Sequence, residues 1–354
     1  MSINTLHERL PASARVVTYR GAPAPAVYSD AGSEFVSFRS GCGVFESSWR
    51  SKVILTGSDR VRWLNGMITN NVRDLASNRA VYAFLLNPQG RILGDLYAYN
   101  RSEYLLVDTD RFQLEKVLAT FDHYIIMDDV EVTDSSDKLA TIGLAGPNSR
   151  AVMARAGIEV PDLEILQVVD LTWQQVGLSC VRGDNSAVEL YELWLAPTKI
   201  DLVWNALLAA GAAPVGVESL ELLRVASGVP LVGADIRERD LPQETRQDRA
   251  LNFSKGCYIG QEIVERIRSR GSVHRKFTGF AIEGALPAPG TTIQADGKDV
   301  GEITSVATLP ASDGDYLAAL GYVRQEAGTP GTRLDAGSSK AIITDIPFAE
   351  VFKN

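Results

Sequence analysis

The chain has 354 residues, 45% of them hydrophobic and 22% charged, and a formal net charge of −9. This composition is typical of a globular protein with room for two or three packed units, and it argues against extensive disorder. The acidic balance disfavours a nucleic-acid-binding surface over the whole molecule. Three scattered cysteines argue against a disulfide framework, and three histidines without paired Cys or His spacing argue against a closed zinc site.

The N-terminal segment Met1–Arg20 contains no apolar stretch of signal-peptide length, and no segment approaches the roughly 20 apolar residues that span a bilayer. We therefore expect a cytoplasmic protein with no membrane partner. Lys52–Thr56 is predicted to be a short strand. A helix follows it, with Val61, Leu64 and Ile68 at helical spacing.

A hairpin is predicted next, because the strand-like segments Ala80–Leu86 and Arg91–Tyr99 flank the turn Asn87–Gly90. Glu103–Val107 adds another strand. The segment Arg111–His123 is predicted to be a helix, with four apolar residues on one side: Phe112, Val117, Leu118 and Phe121.

Further along, Ala187–Leu195 resembles a strand, and Thr198–Asp201 has the pattern of a capping box that opens a helix through Leu208. Gly211 can end that helix in a left-handed conformation. Val217–Ser227 is predicted to be a further helix.

After Gly271 the sequence changes to short strands separated by Gly, Pro and Asp, which predicts a small β-barrel. Strands mixed with helices without a regular βαβ alternation indicate an α+β fold. We expect two regions, residues 1–265 with two interleaved subdomains and residues 272–354 as the barrel.

Two strands carry acidic residues among apolar and aromatic neighbours. Asp95 shares a strand face with Tyr97, and Glu192 shares one with Trp194. Each carboxylate either lies on a solvated sheet face or edge, or accepts hydrogen bonds from a ligand. A carboxylate suits a ligand with two adjacent N–H donors, since its two oxygens can accept both.

Arg224 lies on the apolar face of its predicted helix with Val217, Leu220 and Leu223. An arginine in this position either extends to solvent or binds an anion. The anion is a protein carboxylate in one interpretation and part of a ligand in the other.

The strongest local signal is Lys255–Glu262, in which glycines bracket a cysteine, an aromatic residue and polar side chains; its members include Lys255, Gly256, Cys257, Tyr258, Gly260, Gln261 and Glu262. A cysteine beside a lysine can be a nucleophile, a redox group or a metal ligand, although a lone cysteine is more often an inert buried residue. The basic segment Arg266–Lys276 follows. It suits either a solvated connector or contacts with RNA phosphates, and the acidic chain favours the connector.

Three segments resemble the glycine-cleavage T-protein superfamily, and the resemblance covers nearly the whole chain: Ser40–Trp49, Asn87–Leu96 and Leu222–Leu231. The Lys255–Glu262 motif resembles the signature of the YgfZ branch of that superfamily, whose members help to mature 4Fe–4S proteins. The resemblance implies a three-domain cloverleaf around a central folate channel, with a small C-terminal β-barrel.

The same resemblance implies tetrahydrofolate or a derivative as the cofactor, and iron–sulfur assembly proteins or client enzymes as partners. Asp95, Glu192 and Arg224 match positions that contact folate or substrate, and Cys257 is the central YgfZ-type cysteine. We expect Tyr97, on the same strand face as Asp95, to bind the cofactor as well. This cysteine would perform thiol chemistry or share a cluster with a partner, with no metal site of the chain's own.

The alternative implied activity is an aminomethyltransferase or demethylase that moves a one-carbon unit from an amine to tetrahydrofolate, with Asp95 handling charge or protons. A further alternative is a folate-gated interaction module without catalysis. The chain departs from the T-protein pattern at two places. Gly94 replaces the first residue of an Asp pair, and Gly183 and Asp184 lie well before Glu192.

Overall fold

A computed structural model describes residues 15–271 and 273–353, without the side chain of Arg270. The N-terminal segment that we expect to lack a signal peptide lies largely outside these residues. Among the described residues, no helix is long and apolar enough to cross a membrane. The chain divides into two compact units, one formed by 1–85 with 95–220 and the other by 86–94 with 221–354.

The strands up to residue 214 form two large sheets and a small hairpin. In chain order they are β1 (Val16–Tyr19), β2 (Ala22–Pro25), β3 (Gly43–Glu46), β4 (Arg50–Thr56), β5 (Arg79–Leu86), β6 (Ile92–Asn100), β7 (Leu105–Asp110), β8 (Glu131–Asp134), β9 (Ala140–Ala145), β10 (Val168–Trp173), β11 (Val176–Arg182), β12 (Leu190–Leu195) and β13 (Ala213–Pro214). One large sheet has the order β5-β6-β7-β4-β8, and the other has the order β10-β11-β12-β9-β3-β13.

The helices of this part begin where the chain leaves a sheet. They are α1 (Ala31–Ser40), α2 (Arg60–Met67), α3 (Leu114–Tyr124), α4 (Ser149–Arg155), α5 (Ile200–Ala209) and α6 (Val217–Ala226). In α5 the buried side chains recur at three- and four-residue spacing, so that one face of the helix packs on the core; they are Ile200, Val203, Trp204 and Leu207.

One buried carboxylate joins distant parts of the first unit. Glu34 of α1 accepts hydrogen bonds from the backbone N–H groups of Tyr28 and Ser29, each at 2.6 Å. It also accepts hydrogen bonds from the Gly216 N–H and the Ser219 hydroxyl, each at 2.8 Å. Because a buried carboxylate without partners is costly, these four donors fix α1 against the start of α6.

The second unit contains α7 (Gln261–Arg270), the short helix α8 (Ala349–Phe352) and a closed six-stranded barrel. The barrel strands are β14 (Arg275–Glu283), β15 (Thr292–Ala295), β16 (Lys298–Ala311), β17 (Gly314–Arg324), β18 (Arg333–Ala336) and β19 (Ser339–Thr344), closed in the order β14-β17-β16-β15-β18-β19. Inward apolar side chains fill it, including Phe280, Ile293, Ile303, Leu334 and Ile343.

The structure confirms the α+β class and the C-terminal barrel. The second unit begins before the predicted barrel region, and the three-domain cloverleaf around a channel stays a prediction. Two local predictions are wrong. No side chain caps α5 at Lys199, because a 3-10 turn over Pro197–Lys199 leads into the helix instead. Phe112 is 44% exposed, since it lies in the 3-10 turn before α3 and outside the buried helix face.

Candidate functional site

Strand β6 places Asp95 within a set of directed hydrogen bonds. The Tyr82 hydroxyl donates to Asp95 Oδ2 at 2.7 Å, and the Gln113 side-chain amide donates to Oδ1 at 2.8 Å. Burial raises the pKa of Asp95, and the nearby Asp110 raises it further, while the two hydrogen bonds and Arg50 act in the opposite direction. The result is a carboxyl group that keeps its proton to a higher pH than an ordinary aspartate.

Tyr97 lies two residues further along β6, with both residues partly exposed while Leu96 and Ala98 are buried. Its hydroxyl donates to Asp184 at 2.8 Å, and its ring centroid is 5.1 Å from that of Tyr82. The predicted alternation along this strand is therefore observed. Tyr97 contributes an aromatic surface beside the Asp95 carboxyl group.

Glu192 lies on β12 in the other sheet of the same unit. The Trp194 indole N–H donates to Glu192 Oε2 at 2.8 Å. The Trp194 ring is in turn held at 4.8 Å from the Tyr99 ring, and Lys52 Nζ lies 4.6 Å from its centroid. This arrangement orients the carboxylate. Its other oxygen, Oε1, accepts no hydrogen bond from the described residues.

Arg50 connects the acidic residues of this region. It contacts Asp108 at 2.9 Å and Asp110 at 2.7 Å, and its guanidinium carbon is 5.8 Å from the Tyr97 ring centroid. Burial opposes its charge, but Asp108, Asp110 and then Glu192 raise its pKa well above the ordinary value. Arg50 is therefore close enough to act electrostatically on both Asp95 and Glu192.

Sequence patterns did not predict that Arg50, Lys52 and Gln113 belong to the candidate site. Arg50 and Lys52 are two residues apart on β4, so they share a face, and this alternation is the signal that could have shown them. The register pairs them with Asp110 and Asp108 of β7, which the sequence does not specify. Gln113 is buried in a 3-10 turn and carried no signal of its own.

Arg224 lies in the second unit and is bound by protein groups. It pairs with Asp235 at 2.7 Å and with Glu221 at 2.8 Å, and donates to the Val229 carbonyl at 2.8 Å and the Ser305 hydroxyl at 2.9 Å. Only 7% of the residue is exposed. These contacts match the internal ion pair that we considered for Arg224, and its assignment to ligand binding stays a prediction.

The Lys255–Glu262 motif also lies in the second unit and leads into α7. Cys257 is exposed, whereas Cys42 and Cys180 are buried. Burial raises the pKa of Cys42 to about 11 and that of Cys180 to about 12. Cys257 is therefore the cysteine of the three that a reagent or a partner can reach.

Backbone geometry explains the glycine that precedes α7. Gly260 has φ +81°, and a Cβ at this position would lie 2.6 Å from the Asn87 carbonyl oxygen. Glycine is required there by both the left-handed conformation and the close approach. Earlier in the motif, Lys255 is buried with its Nζ 5.0 Å from the Tyr258 ring, and burial raises the pKa of Tyr258 to about 12.

The basic segment Arg266–Lys276 runs from the second half of α7 to the start of β14, and one of its arginines forms ion pairs within the protein. Arg275 pairs with Asp240 and with Glu244, and its guanidinium lies over the Tyr322 ring. Among the residues that the structure describes, no group of three His, Cys, Asp or Glu side chains is arranged to hold a metal ion.

Residues 6–255 match the GCVT N-terminal domain family. An aminomethyltransferase of Halothermothrix orenii is 29% identical over 339 residues, covering 92% of each chain. One from Thermus thermophilus is 28% identical over 329 residues, covering 92% of this chain and 91% of the other.

Among solved structures, the glycine cleavage system aminomethyltransferase T from Bartonella henselae has a TM-score of 0.85 with this chain. The two are 22% identical, and the match covers 98% of this chain and 96% of that one. They share the same fold. The chain belongs to the GCVT N-terminal domain family.

Proposed function

We propose that this chain binds tetrahydrofolate in its first unit and transfers a one-carbon unit to it from an amine. The observation that carries the proposal is Asp95, a carboxyl group with a raised pKa held by two hydrogen bonds. Support comes from relatives that are named aminomethyltransferases and that align over most of both chains.

The side chains of this unit suit a reduced folate. Glu192 is oriented through one oxygen by Trp194, and its other oxygen is available to accept an N–H donor of a pterin ring. The Tyr97 ring offers a flat surface to a flat ligand. These groups would bind and orient tetrahydrofolate, whose chemistry is to carry the one-carbon unit.

Asp95 is suited to hold a proton near the transferred group. Its pKa is raised by burial and by the nearby Asp110, so it holds its proton to a higher pH than an ordinary aspartate does. Tyr82 and Gln113 fix its direction, since each donates to a different oxygen. Asp95→Asn has nearly the same shape and has no titratable proton. Its amide oxygen can accept from Gln113, and its amide N–H can donate to the Tyr82 oxygen, which reverses the direction of that hydrogen bond.

The proposal is tested by separating binding from transfer. Calorimetric titration with 5-formyltetrahydrofolate should show about tenfold or more weaker binding for Glu192→Gln, the loss of one charged hydrogen bond. The exposed Glu159→Gln is the matched control and should bind as the wild type does. Unchanged affinity in Glu192→Gln would remove this residue from the site.

Transfer is measured as 5,10-methylenetetrahydrofolate formed from aminomethyl donors, whose carbon is already at the oxidation level of formaldehyde, with the amino group released as ammonia. Asp95→Asn should bind the folate but form the product at least about a hundredfold more slowly, the usual contribution of a general acid–base group. The exposed Asp122→Asn is the control. Full activity in Asp95→Asn would refute the assignment of Asp95.

A second candidate function is folate-dependent support of iron–sulfur enzymes, as the YgfZ-type motif implies. The observation that favours it is the exposure of Cys257 within Lys255–Glu262. Under this alternative Cys257→Ser abolishes the support of 4Fe–4S enzyme activity in cells while folate affinity is unchanged. Under the first proposal the same variant retains amine-dependent transfer, so the two assays distinguish the candidates.

A further inference from the structure

Gln113 contacts Asp95 through both ends of its side-chain amide. The Asp95 backbone N–H donates to Gln113 Oε1 at 3.1 Å, and Gln113 Nε2 donates to Asp95 Oδ1 at 2.8 Å. Because a backbone N–H can only donate, the amide atom opposite it is the oxygen, and the atom opposite Oδ1 is therefore the nitrogen. Gln113 is buried, so both contacts are made away from solvent. The main chain of the strand that carries Asp95 thus fixes the orientation of the Gln113 amide.

The two carboxyl oxygens of Asp95 face partners with different chemistry. The nitrogen of an amide is a donor only, so a proton on Oδ1 would point at another hydrogen. Oδ2 instead faces the Tyr82 hydroxyl at 2.7 Å, a group that can donate to a carboxylate and accept from a carboxylic acid. The contact with Tyr82 therefore suits both protonation states of Asp95, whereas the contact with Gln113 requires an Oδ1 without a proton.

We infer that Gln113 is a positioning residue that directs the proton of Asp95 to Oδ2, beside Tyr82. The Tyr82 hydroxyl then accepts from Oδ2–H, and its own hydrogen turns away from Asp95. The Tyr82 ring lies 5.1 Å from the Tyr97 ring, so the proton is on the side of the aromatic surface that we assign to the pterin. The consequence for transfer rests on the proposed function, whereas the location of the proton does not.

Other groups determine how tightly Asp95 holds its proton. Burial favours the protonated form most strongly, Asp110 favours it further, and Arg50 favours the ionised form. Among the described residues, neither Asp110 nor Arg50 forms a hydrogen bond with the Asp95 side chain. The choice between the two oxygens therefore depends on Gln113 and Tyr82, and variants of these two residues leave both neighbouring charges in place.

The test titrates the Asp95 carboxyl group by NMR in the full chain, without folate or donor, and uses Asp95→Asn to assign its signal. Gln113→Met should raise the proton affinity of Asp95 about tenfold, because the hydrogen bond from Nε2 is stronger to a carboxylate than to the neutral acid. Tyr82→Phe should raise it less, because the tyrosine hydroxyl binds both forms. Gln325→Met, at an exposed position in another 3-10 turn, is the matched control and should titrate as the wild type does.

An effect of Tyr82→Phe equal to or larger than that of Gln113→Met would overturn the inference, because it is expected when the amide turns over to accept a proton on Oδ1. The Gln113 side-chain amide signal gives a second measurement that needs no variant. It should shift as Asp95 titrates and stay protected from solvent exchange in both states, and loss of protection on protonation would also overturn the inference.

The pH profile of product formation links this inference to the proposed function. In Gln113→Met the profile should move to higher pH together with the Asp95 titration, which a purely structural role of Gln113 would not produce. An unchanged titration in Gln113→Met would overturn the inference, and a loss of transfer in Asp95→Asn would still support the proposed function. The two can therefore fail separately.

Discussion

Two substitutions at a buried ion pair beside the proposed folate site should differ in how much they lower the free energy of unfolding. Lys52 is 0% exposed, and its Nζ lies 2.6 Å from Asp108 Oδ2. Asp108 has a second cation, Arg50, at 2.9 Å. Among the described residues, Asp108 is the one acid that forms an ion pair with Lys52, whose Nζ also lies 4.6 Å from the centroid of the Trp194 ring. Substituting Asp108 therefore leaves the buried charge of Lys52 without a counter-ion, whereas substituting Lys52 leaves Asp108 paired with Arg50.

The expected free energies of unfolding follow from this difference. Asp108→Asn should lower stability by about 3–5 kcal/mol, the cost of leaving one charge of a buried pair without its partner. Lys52→Met should cost about 1.5–3 kcal/mol, the value of a charged hydrogen bond, because Asp108 keeps Arg50. The double variant Asp108→Asn/Lys52→Met should then be more stable than Asp108→Asn alone, because it no longer contains an unpaired buried charge.

Urea unfolding followed by tryptophan fluorescence measures this effect in the relevant unit. All five tryptophans of the chain lie in the first unit: Trp49, Trp63, Trp173, Trp194 and Trp204. Lys138→Met, at an exposed position, is the control for the loss of a lysine. A double variant less stable than Asp108→Asn alone would refute the reasoning.

Three further predictions concern other sites. Because the folded chain binds the Asp95 proton more tightly than the unfolded chain, the wild type should lose stability relative to Asp95→Asn as pH rises from the ordinary value of 3.8 through the raised pKa. Melting temperatures across pH measure this, with Asp122→Asn as control, and the opposite slope would contradict it. Gly260→Ala should destabilise the protein by more than Gly297→Ala in urea unfolding. Both residues have positive φ, and holding an alanine in that conformation costs about 1–2 kcal/mol at either position. Only at Gly260 would the added Cβ also lie 2.6 Å from a backbone carbonyl oxygen. A thiol reagent should modify Cys257 rapidly in the native protein and the two buried cysteines only after unfolding, whereas rapid native labelling of Cys257→Ser would be inconsistent with this.

Several features of the fold could be predicted because they depend on local pattern. The hairpin around Asn87–Gly90, the strand that carries Asp95 and Tyr97, and the short strands of the barrel all follow from alternation and turn residues. The capping box at Thr198–Asp201 failed, because Pro197 starts a 3-10 turn and a Thr-x-x-Asp pattern does not by itself place a helix start.

Periodicity and turn chemistry in the sequence thus determined which residues share a strand face, and the order of its motifs indicated the family. The partners of the charged residues were decided by tertiary structure. The register between β4 and β7 places Arg50 and Lys52 opposite Asp110 and Asp108. The folded chain also brings Arg224 into an ion pair with Asp235 and leaves Cys257 exposed. Charge pairing depends on distances between segments far apart in the chain, and the folded backbone sets those distances.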